Sequence, residues 1–208
     1  MLICGVDEAG KGPALGSLIV SAVVFDPDVL ATIPVADSKK LSAKRRVALE
    51  ADITELAHEV VVVELTAEDI NGYHRQGLTL NEMEVITFTH ALNDLETIPD
   101  EIYLDAADVL EHRFRDNVMR GYHHQDVSIV AEHKADTNHP VVAAASIVAK
   151  VNRDAIMAEI APVSGYGDKN TVAWLKEYYL ENGEFPLDSR YFWKTLDNIK
   201  ADLKLKNE

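Results

Sequence analysis

The chain has 208 residues, 47% of them apolar, and 35 Asp and Glu against 20 Lys and Arg give a formal net charge of −15. That apolar share supports a substantial core and excludes a disordered chain, while no apolar run approaches the ~18–20 residues that span a bilayer. A single cysteine, Cys4, excludes internal disulfides and cysteine-built zinc sites, and Asp7 and Glu8 interrupt the N-terminal apolar stretch before it could serve a signal peptide, so a cytoplasmic protein is expected.

LICGV (2–6) reads as a short buried strand that ends in the EAGKGP turn. The β-branched run LGSLIVSAVVF (15–25) predicts a second strand pairing back on the first. After a DPD turn, residues 42–59 have helical spacing with Ser42 as N-cap. VVVVEL (60–65) predicts a third strand, 81–95 an amphipathic helix, and EIYLDA (101–106) a fourth strand. A helix over 108–120 would open on the Asp108/Glu111 spacing of a capping box, and VSIVAEH (127–133) predicts a fifth strand. Pro140 stands where proline is tolerated, at the first turn of a helix over 141–160. That helix is alanine-rich and apolar on several faces, which predicts burial between layers. A Ser-Gly-Tyr-Gly turn (164–167) precedes two further helices, 171–182 and 190–203. This order predicts an α/β fold with a mixed five-stranded sheet flanked by helices on both faces and a helical C-terminal region.

Acidic residues fall at the ends of these strands: Asp7 and Glu8 after the first, Asp105 after the fourth. Asp136, in HKAD, stands just ahead of the long helix. Carboxylates sharing a small volume repel one another, and bound cations offset that repulsion. All-oxygen ligands favour Mg²⁺ or Mn²⁺ over zinc, and a phosphate ester is the natural substrate of such a centre. Convergence of the four acids is the expectation on which the reading rests. In Asp7-Glu8-Ala9-Gly10-Lys11-Gly12 the glycines let backbone N–H groups approach a phosphate, and Lys11 adds a point charge. The plain alternative is a strand-ending turn with solvated acids. A dinucleotide-binding loop is rejected, because glycines at 10, 12 and 16 have the wrong spacing and lead into a strand instead of a helix.

The acidic balance opposes the positive footprint of a nucleic-acid enzyme. Yet Lys39, Lys40, Lys44, Arg45 and Arg46 cluster, and of these Lys39, Lys40, Arg45 and Arg46 are the best candidates for phosphate contacts, against the reading of a solvated helix face. An acidic, lysine-poor surface also suits molar salt, where the Debye length falls to ~3 Å and self-repulsion is screened. A salt-loving source is therefore expected, with an ordinary acidic cytoplasmic protein as the alternative.

GVDEAGKGPALGSLIVSAVVF resembles the N-terminal signature of the ribonuclease HII family, the type 2 ribonucleases H. Further stretches agree in order: Asp37-Ser38-Lys39-Lys40-Leu41, Asp105 in YLDAADV, Glu132-His133-Lys134-Ala135-Asp136, and Ala145 to Val151 with Arg153-Asp154. Ser164-Gly165-Tyr166 and Arg190 with Trp193-Lys194-Thr195 complete the likeness, which spans the chain and looks archaeal.

The resemblance implies an RNase H-like catalytic domain over 1–160 and a helical region over 161–208 packed on it. It implies that Asp7, Glu8, Asp105 and Asp136 are the catalytic acids and hold two Mg²⁺ or Mn²⁺ ions. Gly10, Lys11 and Gly12 would match the family's glycine-arginine-glycine turn, which with Tyr166 recognises the 2′-OH at an RNA–DNA junction. The implied activity is hydrolysis of the RNA strand of RNA–DNA hybrids, or at ribonucleotides embedded in duplex DNA, leaving a 3′-hydroxyl and a 5′-phosphate. A different nuclease on the same scaffold, of resolvase or integrase type, and a non-catalytic nucleic-acid-binding module are the alternatives.

The chain departs from the family pattern at three places. Lys11 gives up the planar contact of arginine, the turn after Tyr166 is one residue shorter, and the C-terminal ADLKLKNE lacks the glutamine-and-aromatic tail that docks some relatives on a sliding clamp. Clamp docking is not expected, and a monomer is. His133 has two readings, proton transfer or a structural hydrogen bond. His123 and His124 receive no role, and Trp193, Tyr178 and Tyr179 are read as packing aromatics.

Overall fold

The computed structural model describes residues 1–35 and 41–204, so Lys39 and Lys40 lie outside the described residues. The chain forms two compact units interleaved in sequence: residues 1–9, 19–64 and 81–152 make the first, and 10–18, 65–80 and 153–208 the second.

The first unit is built on a five-stranded sheet. Strands β1 (Ile3–Ala9), β2 (Leu18–Phe25), β3 (Glu59–Leu65), β4 (Glu101–Asp105) and β5 (Ser128–Glu132) lie in the order β3-β2-β1-β4-β5. β1 runs antiparallel to β2 but parallel to β4, which is parallel to β5. The mixed sheet follows from the connections: the loop 10–17 joins β1 directly to β2, whereas parallel partners need longer crossovers. β1 is longer than its apolar letters suggest. Its pairing with β2 continues through Asp7–Ser21, Glu8–Val20 and Ala9–Ile19, so the two acids sit within the strand's last residues and not beyond it.

Strand alternation assigns the faces. Cys4 and Val6 join Val20, Ala22, Val24, Ile102 and Leu104 on one face, packed with Phe88, Ala91, Leu92, Phe114 and Val118. These last come from α4 (Leu80–Asn93) and α5 (Glu111–Gly121), with Phe88 and Phe114 in an edge contact at 5.1 Å. The other face carries Val23 and Phe25 against Leu49, Ile53 and the run Val141–Val148. Short helix α1 (Pro27–Leu30), α2 (Ala43–Leu56) and the start of α7 (Pro140–Ile160) supply that layer. Ser42 caps α2 as expected, accepting from the Arg45 amide at 3.3 Å. Gly5 fixes how close α7 comes, since a Cβ there would stand 2.3 Å from the Val141 carbonyl oxygen. Ser21 seals the same approach by donating to the Ala145 carbonyl at 2.6 Å.

The second unit holds α3 (Ala67–Arg75), the end of α7 from residue 153, α8 (Lys169–Asn182) and α9 (Lys194–Lys204). Its core is Leu15, Met157, Ala161, Leu175, Phe185, Leu196 and Ile199. Helix α3 has few apolar letters and is announced by its start alone, a capping box between Thr66 and Asp69.

Two helix starts differ from expectation. Asp108 does not cap α5; it lies outside the helix, where it accepts from the Leu110 amide and from Arg113 Nε at 3.3 and 2.7 Å. α9 begins at Lys194 instead of 190, because Arg190 and Trp193 are engaged elsewhere, as described below. No described helix is long and apolar enough to cross a membrane.

Candidate active site

Asp7 lies on the α7 face of β1, with 4% of its surface exposed. Asp105 closes β4 one residue past the Val6–Leu104 pair, so the two aspartates end neighbouring parallel strands. Burial pushes the Asp7 carboxyl well above the ordinary carboxylate range, and the charges of Glu8 and Asp105 push it further. The Ser146 hydroxyl and the Glu8 amide, the latter at 2.7 Å, donate to it and pull the other way. Three of the four expected acids therefore share one electrostatic environment.

The fourth arrives through a backbone bond. The Ala135 amide donates to Asp105 Oδ1 at 3.0 Å, and Asp136 follows it in the first turn of the short helix α6 (Ala135–Asn138), 8% exposed. Lys134 turns the chain into that position with φ 58°, the one non-glycine residue at positive φ among those described. A left-handed residue there redirects the chain sharply after β5 and lets the next amide meet the Asp105 carboxylate.

Among the described residues no three His, Cys, Asp or Glu side chains form a closed metal-holding group. The donor chemistry nevertheless suits a hard dication, being carboxylate oxygen throughout, with one carboxyl already biased against its charged form by its neighbours.

Glu132 and Ser146 are neighbours that the sequence reading did not single out. Glu132 pairs with Asp105 across β4 and β5. It accepts from Asn138 and His139 at 3.2 and 3.1 Å, contacts that hold its carboxyl below the usual range. Only strand register could have revealed it. His133 is exposed; its amide donates to Glu111 at 2.7 Å, and its ring nitrogens lie 3.3 Å from the Ala106 and Val109 carbonyls. These contacts favour its structural role.

In the second unit the structure brings Gly10, Lys11, Gly12 and Tyr166 together. Gly10 has φ 96°, and a Cβ on it would stand 2.5 Å from the Ser17 carbonyl, so the turn requires glycine twice over. The Ala14 amide donates to the Gly165 carbonyl at 2.9 Å, tying the turn to the Tyr166 loop. The Tyr166 ring is 40% exposed and lies 3.6 Å from where a Gly12 Cβ would be. The buried Arg153 guanidinium stands 4.9 Å from the centre of that ring. Trp193, read as a packing aromatic, also donates from Nε1 to the Gly12 carbonyl at 3.0 Å. Tyr178 and Tyr179 do pack, against Trp174 and Phe185. Of the basic cluster, Arg46 donates to the Leu41 carbonyl at 2.7 Å, while Lys44 and Arg45 are exposed.

A mixed sheet with acids at the ends of adjacent parallel strands defines the class of RNase H-like proteins. A ribonuclease H2 from Pyrococcus horikoshii OT3 superposes with a TM-score of 0.90 at 36% identity, covering 98% of this chain and 99% of that one. The ribonuclease HII in the PCNA:RNase HII complex from Archaeoglobus fulgidus superposes with a TM-score of 0.84 at 34% identity, covering 95% and 96%. The Thermococcus onnurineus ribonuclease HII is 44% identical, over 98% of this chain and 92% of its own length. The sequence model of ribonuclease HII matches residues 4–196, and the chain belongs to the ribonuclease HII family.

Proposed function

We propose that Asp7, Glu8, Asp105 and Asp136 form the catalytic centre of a ribonuclease H and hold two divalent ions, Mg²⁺ or Mn²⁺. The activity is hydrolysis of the RNA strand of RNA–DNA hybrids, which family membership and full-length likeness to ribonucleases HII carry. Bound dications would supply an activated water for attack on the scissile phosphate and stabilise the departing 3′ oxygen.

The protein's own groups prepare that chemistry. Asp7 would be the principal ion-holding carboxylate, because the Ser146 hydroxyl and the Glu8 amide hold it in place within reach of the Glu8 and Asp105 charges. The Ala135 amide fixes one oxygen of Asp105 and so holds that carboxyl in place at the end of β4. Burial of Asp7 thins the surrounding water and strengthens every charge interaction there. Cleavage leaves a 3′-hydroxyl and a 5′-phosphate.

Gly10, Lys11, Gly12 and Tyr166 recognise the ribose, so ribonucleotides embedded in duplex DNA are also substrates. An exposed ring beside a glycine can lie against a sugar, and the 2′-OH is what separates RNA from DNA. Lys39 and Lys40, with Lys44 and Arg45, contact phosphates.

The observation that carries this reading is the shared electrostatic environment of Asp7, Glu8 and Asp105 at the sheet edge. Its test is Asp7→Asn assayed on a labelled RNA–DNA hybrid with Mg²⁺ or Mn²⁺. Cleavage should vanish in a protein that remains folded; normal cleavage by that variant would end the assignment. A resolvase-type enzyme would instead cut plain DNA of the same sequence.

A further inference from the structure

Arg190 has no exposed surface, yet all three nitrogens of its guanidinium donate to the loop that carries the basic turn. Nη2 reaches the Gly10 carbonyl at 2.6 Å, Nη1 the Lys11 carbonyl at 2.9 Å and Nε the Gly16 carbonyl at 3.0 Å. We propose that Arg190, assisted by Trp193, is the positioning residue that turns the Lys11 and Gly12 amides outward to grip a ribose 2′-oxygen. This rests on the ribonuclease H reading above.

The argument is one of peptide geometry. In a trans peptide unit the carbonyl and the following N–H point in opposite directions, and the described residues contain no cis peptide. Drawing the Gly10 and Lys11 carbonyls to the guanidinium therefore aims the Lys11 and Gly12 amides away from it. Trp193 holds the next carbonyl, that of Gly12, at 3.0 Å. The residue that follows is Pro13, which has no N–H to strand. The outward donor row thus ends at Gly12, which is exposed and lies beside the Tyr166 ring. Amides turned outward next to an aromatic face suit an acceptor oxygen on a sugar.

The guanidinium is itself held in place. The Arg190 amide donates to the Ala14 carbonyl at 2.9 Å and the Gly16 amide to the Asp188 carbonyl at 2.8 Å. Asn71 braces the segment from α3, donating to the Ser189 carbonyl at 2.8 Å and accepting from the Tyr191 amide at 2.9 Å. Lysine at 190 would keep the charge but could not span three carbonyls with a planar fork.

The test compares binding of two duplexes in EDTA, where neither is cut: one with a single ribonucleotide and the same sequence in all-DNA form. Phosphates are common to both, so the ratio of their Kd values isolates the ribose. Arg190→Lys should reduce the wild-type preference about fivefold, and Trp193→Phe about two- to threefold, since each weakens hydrogen-bonded positioning. Affinity for the all-DNA duplex should stay within about twofold of wild type, which a general loss of structure would not allow. Circular dichroism checks folding, and if Arg190→Lys does not fold then Trp193→Phe decides. An unchanged ratio in the folded variants, or a wild-type ratio of one, overturns the proposal. Hybrid cleavage by the wild type is measured alongside; its presence with unchanged ratios removes this inference alone, and its absence removes the ribonuclease H reading.

Discussion

The acid group and the basic turn are both polar, both partly withdrawn from water, and stabilised in opposite ways. In the first, Asp7 is buried against Glu8 and Asp105, and its neighbours make its ionisation harder. In the second, the carbonyls of Gly10, Lys11, Gly12 and Gly16 each meet a donor from Arg190 or Trp193. One region holds unresolved repulsion that a dication can relieve; the other is complete before any ligand arrives. Repulsion suits a group that must bind ions, whereas satisfied hydrogen bonds suit a surface that must keep its shape to discriminate.

The most damaging test of this contrast is Asp7→Asn, expected to lower metal-dependent cleavage by about a thousandfold or more, since dication stabilisation is worth several kcal/mol. Its thermal midpoint should hold or rise. The raised Asp7 pKa means that ionisation opposes folding as pH increases through it, and asparagine removes that opposition. A midpoint falling by many degrees would show that the acids do not repel. Gly5 and Gly12 sharpen the difference between a glycine the fold requires and one it does not. Gly5→Ala forces a Cβ to 2.3 Å from the Val141 carbonyl and should cost about 1–3 kcal/mol or more in denaturant unfolding. Gly12→Ala meets only the Tyr166 ring at 3.6 Å, so stability should stay within about 0.5 kcal/mol while cleavage at a lone ribonucleotide falls about tenfold.

A smaller effect lies at Asp108, whose carboxyl is held down to about 2 by its hydrogen bonds from Arg113. A depressed carboxylate pKa contributes stability above the unfolded value of about 3.9, and that contribution disappears as pH falls towards 2. Asp108→Asn should therefore melt earlier than wild type at pH 7 and converge with it near pH 2. The mildest expectation concerns salt. With a net charge of −15, thermal midpoint and activity should rise from low to molar KCl as self-repulsion is screened. A protein fully active and stable at low salt would count against a salt-loving origin.

Much of the first unit is legible in its letters, because strand alternation and helix caps are local signals. β2 and the Ser42 cap stand where β-branched runs and a serine place them. The end of β1 is not legible, since Asp7 and Glu8 look like turn residues until pairing with Ser21 and Val20 holds them in the strand. Asp108 misleads for a related reason: its spacing to Glu111 suits a cap, but Arg113 is the stronger partner. At the candidate site the acids are visible as strand-end carboxylates, whereas Glu132 depends on register with Asp105. Trp193 and Arg190 are separated by more than 170 residues from the carbonyls they hold, and no local pattern announces such bonds.

The buried guanidinium of Arg190 has one more consequence. Arginine keeps its proton at any pH an assay can reach, so the shape it imposes on residues 10–16 does not titrate. Acidification should slow turnover, through the carboxylates, and leave the choice between ribose and deoxyribose where it was.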